Sequence, residues 1–420
     1  MKNIGCIILL VVLLCSSLFS QTKILSFSDC LDLAIQQSYR IQRSNSEIQA
    51  GLSALSSAKS AYYPHLFAAL SYDQLLYSDY NFRRQMTAAY IDWSIGDWLK
   101  NTADVKAGQV EVLRAEREYS TIEVIVRVAG LYMEILLDQR KLELLDERMG
   151  VLHEHLKVAD ALWQGGIRTR LDVLQTHNEI KTIEEQNLRL QSEKQNRQSE
   201  LAYLLDKPIE DLGELRDFPE TVVEVEPVLN LPALEQNPLL HSLQLQAETQ
   251  KLRLREVSAD NMPRLQIQGG YVADADLLAD GNYWQVGIGL QMALFRWNNS
   301  KYRREEINAH IKSLQLQKAQ AKRELAISQS HLREQLSYLR RLFFLQQEKL
   351  EITMLSLEIA TANYQAGLIT NLEFLHAQEQ DLANHLALNM TRLTYVMRLI
   401  AVFALTNEVD KIKALHNEWH

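Results

Sequence analysis

His153, Glu154 and His155 are the nearest approach to a metal-ligand set in this sequence. On a helix, residues i and i+2 point to different sides, so joint ligation is poor. A solvated helical face is the plainer reading of both histidines. Asp274, Asp276 and Asp280 cluster between two alternating apolar segments. Such carboxylates suit a calcium loop or an acidic surface loop, and the second fits a connection between strands better. Gly287 and Gly289 have part of the spacing of a phosphate loop, but they stand inside an alternating segment with no helix start behind them. No Ser-His-Asp or Cys-His pattern stands out. The reading is therefore of a protein that is not an enzyme, with no resident metal and no cofactor.

Two carboxylates have a different setting. Asp172 and Glu373 each follow a glycine turn, Gly165-Gly166 in one case and Gly367 in the other. Glycine takes positive φ at a helix end without strain. A carboxylate in the first turn of the returning helix is favoured by the helix dipole, by about 0.3–1 kcal/mol. That alone accounts for both residues, and any further role depends on what the turns do.

The elements that position these turns are written twice. Ala34-Ile35-Gln36-Gln37 returns about 200 residues later as Ala233-Leu234-Glu235-Gln236. Pro64 and Tyr72 return as Pro263 and Tyr271, and Trp163-Gln164-Gly165-Gly166-Ile167 returns as Tyr364-Gln365-Ala366-Gly367-Leu368. Each half reads as a helix over roughly 28–61 or 232–262, two alternating segments, a long helix over roughly 98–162 or 298–362, a glycine turn, and a helix to about 205 or 406. The ladder Leu142, Leu145, Met149, Leu152, Leu156, Ala159, Trp163 steps by three and four, as coiled-coil packing requires. Leu372, Leu375, Leu382, Leu386, Leu393, Val396, Ile400 and Phe403 fall on a second such ladder. A helix of about 65 residues spans roughly 97 Å. The two shorter helices of each half add up to about the same length, so they can run beside the long one. Residues 206–231, rich in proline, read as a linker between a first repeat over 21–205 and a second over 232–406, with 407–420 as a tail.

Composition agrees with long helices. Glycine and proline number only 15 and 7 in 420 residues. The net charge is −9 and no basic block occurs, which argues against a nucleic-acid partner. Residues 1–20 read as an export signal: Lys2, an apolar stretch from Ile4 to Leu14, then Leu18-Phe19-Ser20 before the new terminus Gln21. A competing reading makes Cys15 a lipidated terminus, although Leu14 is bulky for that signal. Removal of the signal leaves Cys30 alone, so no internal disulfide is available. No later run of about 18 continuous apolar residues offers a membrane-spanning helix.

Four alternating segments carry the membrane argument. Trp284, Val286, Ile288, Leu290 and Met292 alternate with Gln285, Gly287, Gly289 and Gln291. Leu265, Ile267 and Tyr271 alternate with Arg264, Gln266 and Gln268, and Ile91, Trp93 and Ile95 with Asp92, Ser94 and Gly96. A fourth segment near Leu66 to Tyr72 alternates less cleanly. Period two with aromatic ends fits a barrel wall between lipid and water. Trp93, Ile288 and Leu290 are then expected toward lipid, with Gln268, Gln285 and Gln291 inside. Four strands cannot close a barrel, since small ones need about eight. Open edges in lipid cost several kcal/mol per unsatisfied group, so the barrel is expected to be shared between chains.

At this point the sequence resembles the TolC-like outer-membrane efflux family over essentially the whole mature chain. The duplication, the helix-Pro-strand junctions at Pro64 and Pro263, and Leu201-Ala202-Tyr203-Leu204-Leu205 before Pro208 all match. The most specific motifs run from Trp163 to Leu174 and from Tyr364 to Leu375. The resemblance implies a mainly α fold, with a periplasmic coiled-coil tunnel under a twelve-stranded barrel made by a homotrimer in the outer membrane. It implies an exit duct for small molecules, metals or peptides, of the tripartite efflux or type I secretion kind, docked to a periplasmic adaptor and an inner-membrane pump. Trp163, Gly165, Gly166, Ile167, Tyr364, Gly367 and Leu368 would form the adaptor-docking turns. Asp172, Tyr364, Glu373 and His376 would form the gate, with Tyr364 holding Asp172. His376 replaces a second acid of the family pattern, which makes any entrance ring weaker or pH-dependent. Ile369 stands where the family often has an arginine, and Arg168 and Arg170 on the partner turn are the cations available there. A periplasmic structural or adaptor coiled coil is the alternative; it would lack the strands.

Overall fold

The computed structural model describes residues 25–76, 81–94, 101–223, 234–276, 280–295 and 297–415. The expected signal with Cys6 and Cys15, Ile95 and Gly96, the part of the proline-rich linker after 223 and the last tail residues lie outside them. The chain divides into two compact units, one from Met1–Gln42, Ser120–Leu234 and Leu325–His420, the other from Arg43–Tyr119 and Glu235–Glu324.

The helices start and stop where their ends can be satisfied. α1 (Phe27–Gln37) is capped by Ser26, whose hydroxyl accepts from the Asp29 amide, and it buries Phe27, Cys30, Leu31 and Ala34 on one face. Ser38 interrupts the expected continuous first helix, and α2 (Tyr39–Ser60) begins after it. α3 (Thr102–Gln164) and α4 (Arg170–Leu205) follow; α4 ends at Asp206 in the left-handed region. In the second half the helix begins later than expected. Asn237 caps α5 (Pro238–Ala259), with Pro238 in its first turn, where a missing N–H costs nothing. α6 (Asn299–Gln365), α7 (Asn371–Leu405) and the short α8 (Val409–Ala414) complete the set.

In the first unit, Phe27, Tyr132 and Phe218 meet edge to face with centroids 5.2–6.1 Å apart. The Tyr132 hydroxyl donates to the Arg216 carbonyl at 2.7 Å. Arg392, buried on α7, donates to the Phe218 carbonyl at 2.9 Å and pairs with Asp217 at 2.6 Å. The segment after α4 is thereby fixed to the core, and Leu25 and Leu215 bridge beside it. Cys30 is buried there, and burial pushes its thiol up to about 12. Further along α3 and α4, Leu145, Leu152, Ile180, Ile183 and Leu190 form a second cluster, with Leu375 and Leu382 of α7 against it. Among the described helices α7 is apolar enough to cross a membrane by length and composition, yet half of that stretch is buried within the chain. The absence of a continuous apolar run had hidden this, because Thr391 and Arg392 interrupt it.

The second unit holds a four-stranded antiparallel sheet in the order β1 (His65–Leu76), β2 (Asn81–Ser94), β3 (Arg264–Asp276), β4 (Asp280–Gln291). The strands are longer than the alternation suggested. Asp274 and Asp276 belong to β3 and Asp280 to β4, where the sequence had indicated an acidic loop. Trp93 pairs with Ile267, and Ile267 with Ile288; Gln268 pairs with Gly287. The register therefore puts Trp93, Ile288 and Leu290 on one face and Gln268, Gln285 and Gln291 on the other.

Candidate functional site

Two glycine turns build the site. In the first, Gly166 has φ +72°, its amide donates to the Trp163 carbonyl at 2.9 Å, and the Ile167 amide donates to Leu162 at 2.9 Å. In the second, Gly367 has φ +76°, its amide donates to Tyr364 at 2.9 Å, and Leu368 donates to Asn363 at 2.8 Å. Both are the 6→1, 5→2 closure of a helix end, which positive φ at glycine permits. The returning helices start differently. Thr370 and Glu373 form a full capping box on α7, whereas Thr169 makes no side-chain cap bond on α4.

Between the turns lies a packed cluster that sequence reasoning missed. Asn371, the first residue of α7, is buried. Its amide group donates to the Asp172 carbonyl and to Gln175 Oε1, both at 3.2 Å. Its oxygen accepts from Thr176 Oγ1 at 3.3 Å and lies 2.7 Å from His155 Nε2. With the amide donors both engaged, the oxygen end faces His155, so Nε2 carries the proton. The imidazole stacks on Phe374, with centroids 3.9 Å apart and planes at 22°, and approaches the Tyr364 ring at 4.4 Å. Burial pushes His155 below the usual imidazole value, while its bond to Asn371 and the Asp172 charge oppose this.

His155 is thus not on a solvated face. It steps three from Leu152 and four from Ala159, both fully buried, and that spacing was the signal that placed it in the seam. Tyr364 is buried and its hydroxyl has no hydrogen-bond partner among the described residues. The expected Tyr364–Asp172 hydrogen bond is not formed within the chain; Asp172 Oδ1 lies 3.3 Å from Thr169 Oγ1 instead. Burial, and then the Asp172 charge, raise the Tyr364 pKa. The Arg168 guanidinium sits 5.4 Å from the Tyr364 ring centroid and donates to the Ile369 carbonyl. This puts a cation beside Ile369 from the partner turn. Glu373 is exposed; the Thr370 amide, then the Thr370 hydroxyl, hold its carboxyl below the usual range. His376 is exposed and lies 3.0 Å from Gln380 Nε2. Ile167 and Leu368 are exposed at 67% and 74%, and Trp163 at 39% beneath Arg170.

The sequence profile of the outer membrane efflux protein family matches residues 30–206 and again 232–408. The chain belongs to that family. No curated protein matches it by sequence. Solved structures similar to this efflux-family chain include the outer membrane protein VceC of Vibrio cholerae, at 15% identity and TM-score 0.76, covering 90% of this chain and 96% of that one. The CmeC outer membrane channel of Campylobacter jejuni aligns at 14% identity and TM-score 0.78, covering 93% and 90%. The open state of the Neisseria gonorrhoeae MtrE outer membrane channel aligns at 12% and 0.76, covering 91% and 88%. The efflux-family protein is therefore an outer-membrane protein, mostly helical, with a four-stranded antiparallel sheet among the described residues.

Proposed function

We propose that three copies of this chain form an outer-membrane exit duct that works with a periplasmic adaptor and an inner-membrane pump. The observation that carries the reading is the sheet. Among the described residues β1 pairs only with β2 and β4 only with β3, so both outer edges are open. Val286, Ile288 and Leu290 on one face are more than 70% exposed. Lipid suits that apolar face but leaves the open edges unsatisfied, so another chain must supply the missing strands. In this reading the apolar face meets lipid and the glutamine face lines the duct. Residues 1–20 are removed on export and 206–231 join the two repeats. The exposed turns at Ile167 and Leu368 dock the adaptor, and Asp172, Tyr364, Glu373 and His376 surround the entrance. Mass measurement in detergent tests it: a three-chain particle is expected, and a stable, folded, membrane-inserted monomer overturns it.

A further inference from the structure

We propose that His155 is a positioning residue that keys the two glycine turns together, and that its protonation releases them. The inference rests on the reading of the turns as an entrance. Through Asn371, one side chain joins three helices: α3 by His155, α4 by Asp172, Gln175 and Thr176, and α7 by Asn371 itself. Both amide protons of Asn371 go to acceptors on α4 and its oxygen faces His155, with the Thr176 hydroxyl sharing its one proton between that oxygen and the Asp172 carbonyl, so the arrangement has one orientation. Loss of the packing around His155 separates α7 from α3 and α4 together.

A second proton on the imidazole must go to Nδ1, because Nε2 already carries one. That proton brings a charge into a nearly closed site. The groups around it are few. Asp172 on α4 favours the charge, and the Arg168 guanidinium of the first turn lies over the Tyr364 ring. On α6 stands Tyr364, neutral, its hydroxyl without a partner among the described residues. On α7 stand Asn371 and Phe374, while the Glu373 carboxylate is turned into its own capping box. Along α3 the neighbours are the apolar Leu152 and Ala159. Burial outweighs this one carboxylate, so the added charge is not fully compensated.

The direction follows. A packed His155 has a pKa below the ordinary value of 6.5, whereas a freed one returns to it. Above that pH both states are neutral and the packed tip keeps its full stability. As pH falls below it the freed state takes up the proton first, so the packed state loses ground until it is protonated as well. One proton per chain limits the change to about tenfold in the equilibrium per pH unit.

The test uses the full-length purified assembly. Hydrogen exchange of the peptides spanning 165–180 and 364–380, corrected for the intrinsic pH effect, is followed from pH 7.5 to 5, with conductance in a planar bilayer alongside. The wild type should show faster tip exchange and higher conductance below about pH 6.5. His155→Gln keeps a donor to Asn371 but cannot titrate, and both responses should vanish. Asp172→Asn, which lowers the packed-state value further, should deepen the low-pH response while leaving its onset in place, because the freed value sets the onset. Exchange that stays pH-independent in the wild type, or a His155→Gln variant that keeps the response, overturns the proposal. Exchange that responds in a protein forming no pore confirms the switch and counts instead against the duct.

Discussion

At the scale of single residues, close approach decides more than chemistry does. Gly270 pairs with Tyr90 across the sheet, and a Cβ there would lie 2.5 Å from both the Ala89 carbonyl oxygen and Tyr90 Cβ. Neither neighbour is a flexible chain end. Gly287, one strand over, has open space around the same point. Gly270→Ala should therefore destabilise the folded protein by roughly 1–3 kcal/mol, the usual cost of overpacking, while Gly287→Ala should be near neutral. Thermal unfolding of the two variants in detergent checks this; equal midpoints would show that the strands relax around Gly270. The sequence offered no means of ranking these glycines, because the distinction arises only from the register.

At the scale of elements, much was legible. Both glycine turns, both long helices and the Pro64 and Pro263 junctions stand close to where periodicity and turn residues put them. The misses have physical reasons. β2 starts at Asn81, well before the alternating Ile91 and Trp93, because pairing with β1 and β3 recruits backbone whatever the side chains, and Ala88-Ala89 carries no alternation. α5 starts at Pro238, where the Asn237 cap and the proline in the first turn set its start. Of the site, the turns and carboxylates were visible as motifs. The His155–Asn371 contact was not, since those residues are far apart in the chain and a coiled-coil ladder does not fix which polar residues meet. The sheet faces carry their own prediction. Ile288→Arg should hinder assembly by roughly 2–4 kcal/mol if the residue sits at mid-membrane, whereas Gln285→Arg should be tolerated. Heat-modifiable migration of the assembled species would report the difference, and equal assembly would mean that lipid does not meet the Ile288 face.

For the whole molecule, Glu373 has two separable roles to be distinguished, a helix cap and a charge at the proposed entrance. Its capping box accounts for a carboxylate at the start of α7 without any role in transport. Three copies facing one opening would also select cations. The two roles separate by substitution, because glutamine preserves a capping-box acceptor without the charge. Glu373→Gln should lower the cation preference measured by reversal potential while leaving thermal stability nearly unchanged. Glu373→Ala should lower both. A Gln variant with wild-type selectivity would reduce the residue to a helix cap.

The difference between the two turns also bears on how the duplicated chain could have diverged. Position for position, Arg170 in the first half answers to Asn371 in the second, and Ser356 answers to His155. Arg170 lies against the exposed Trp163, whereas Asn371 is enclosed by three helices. A chain made of two first halves would bring a guanidinium, with no oxygen to accept from it, against the Nε2 proton of His155. The halves are therefore no longer interchangeable at this one contact. Reverting the duplication to its symmetric ancestor would require changing both partners together.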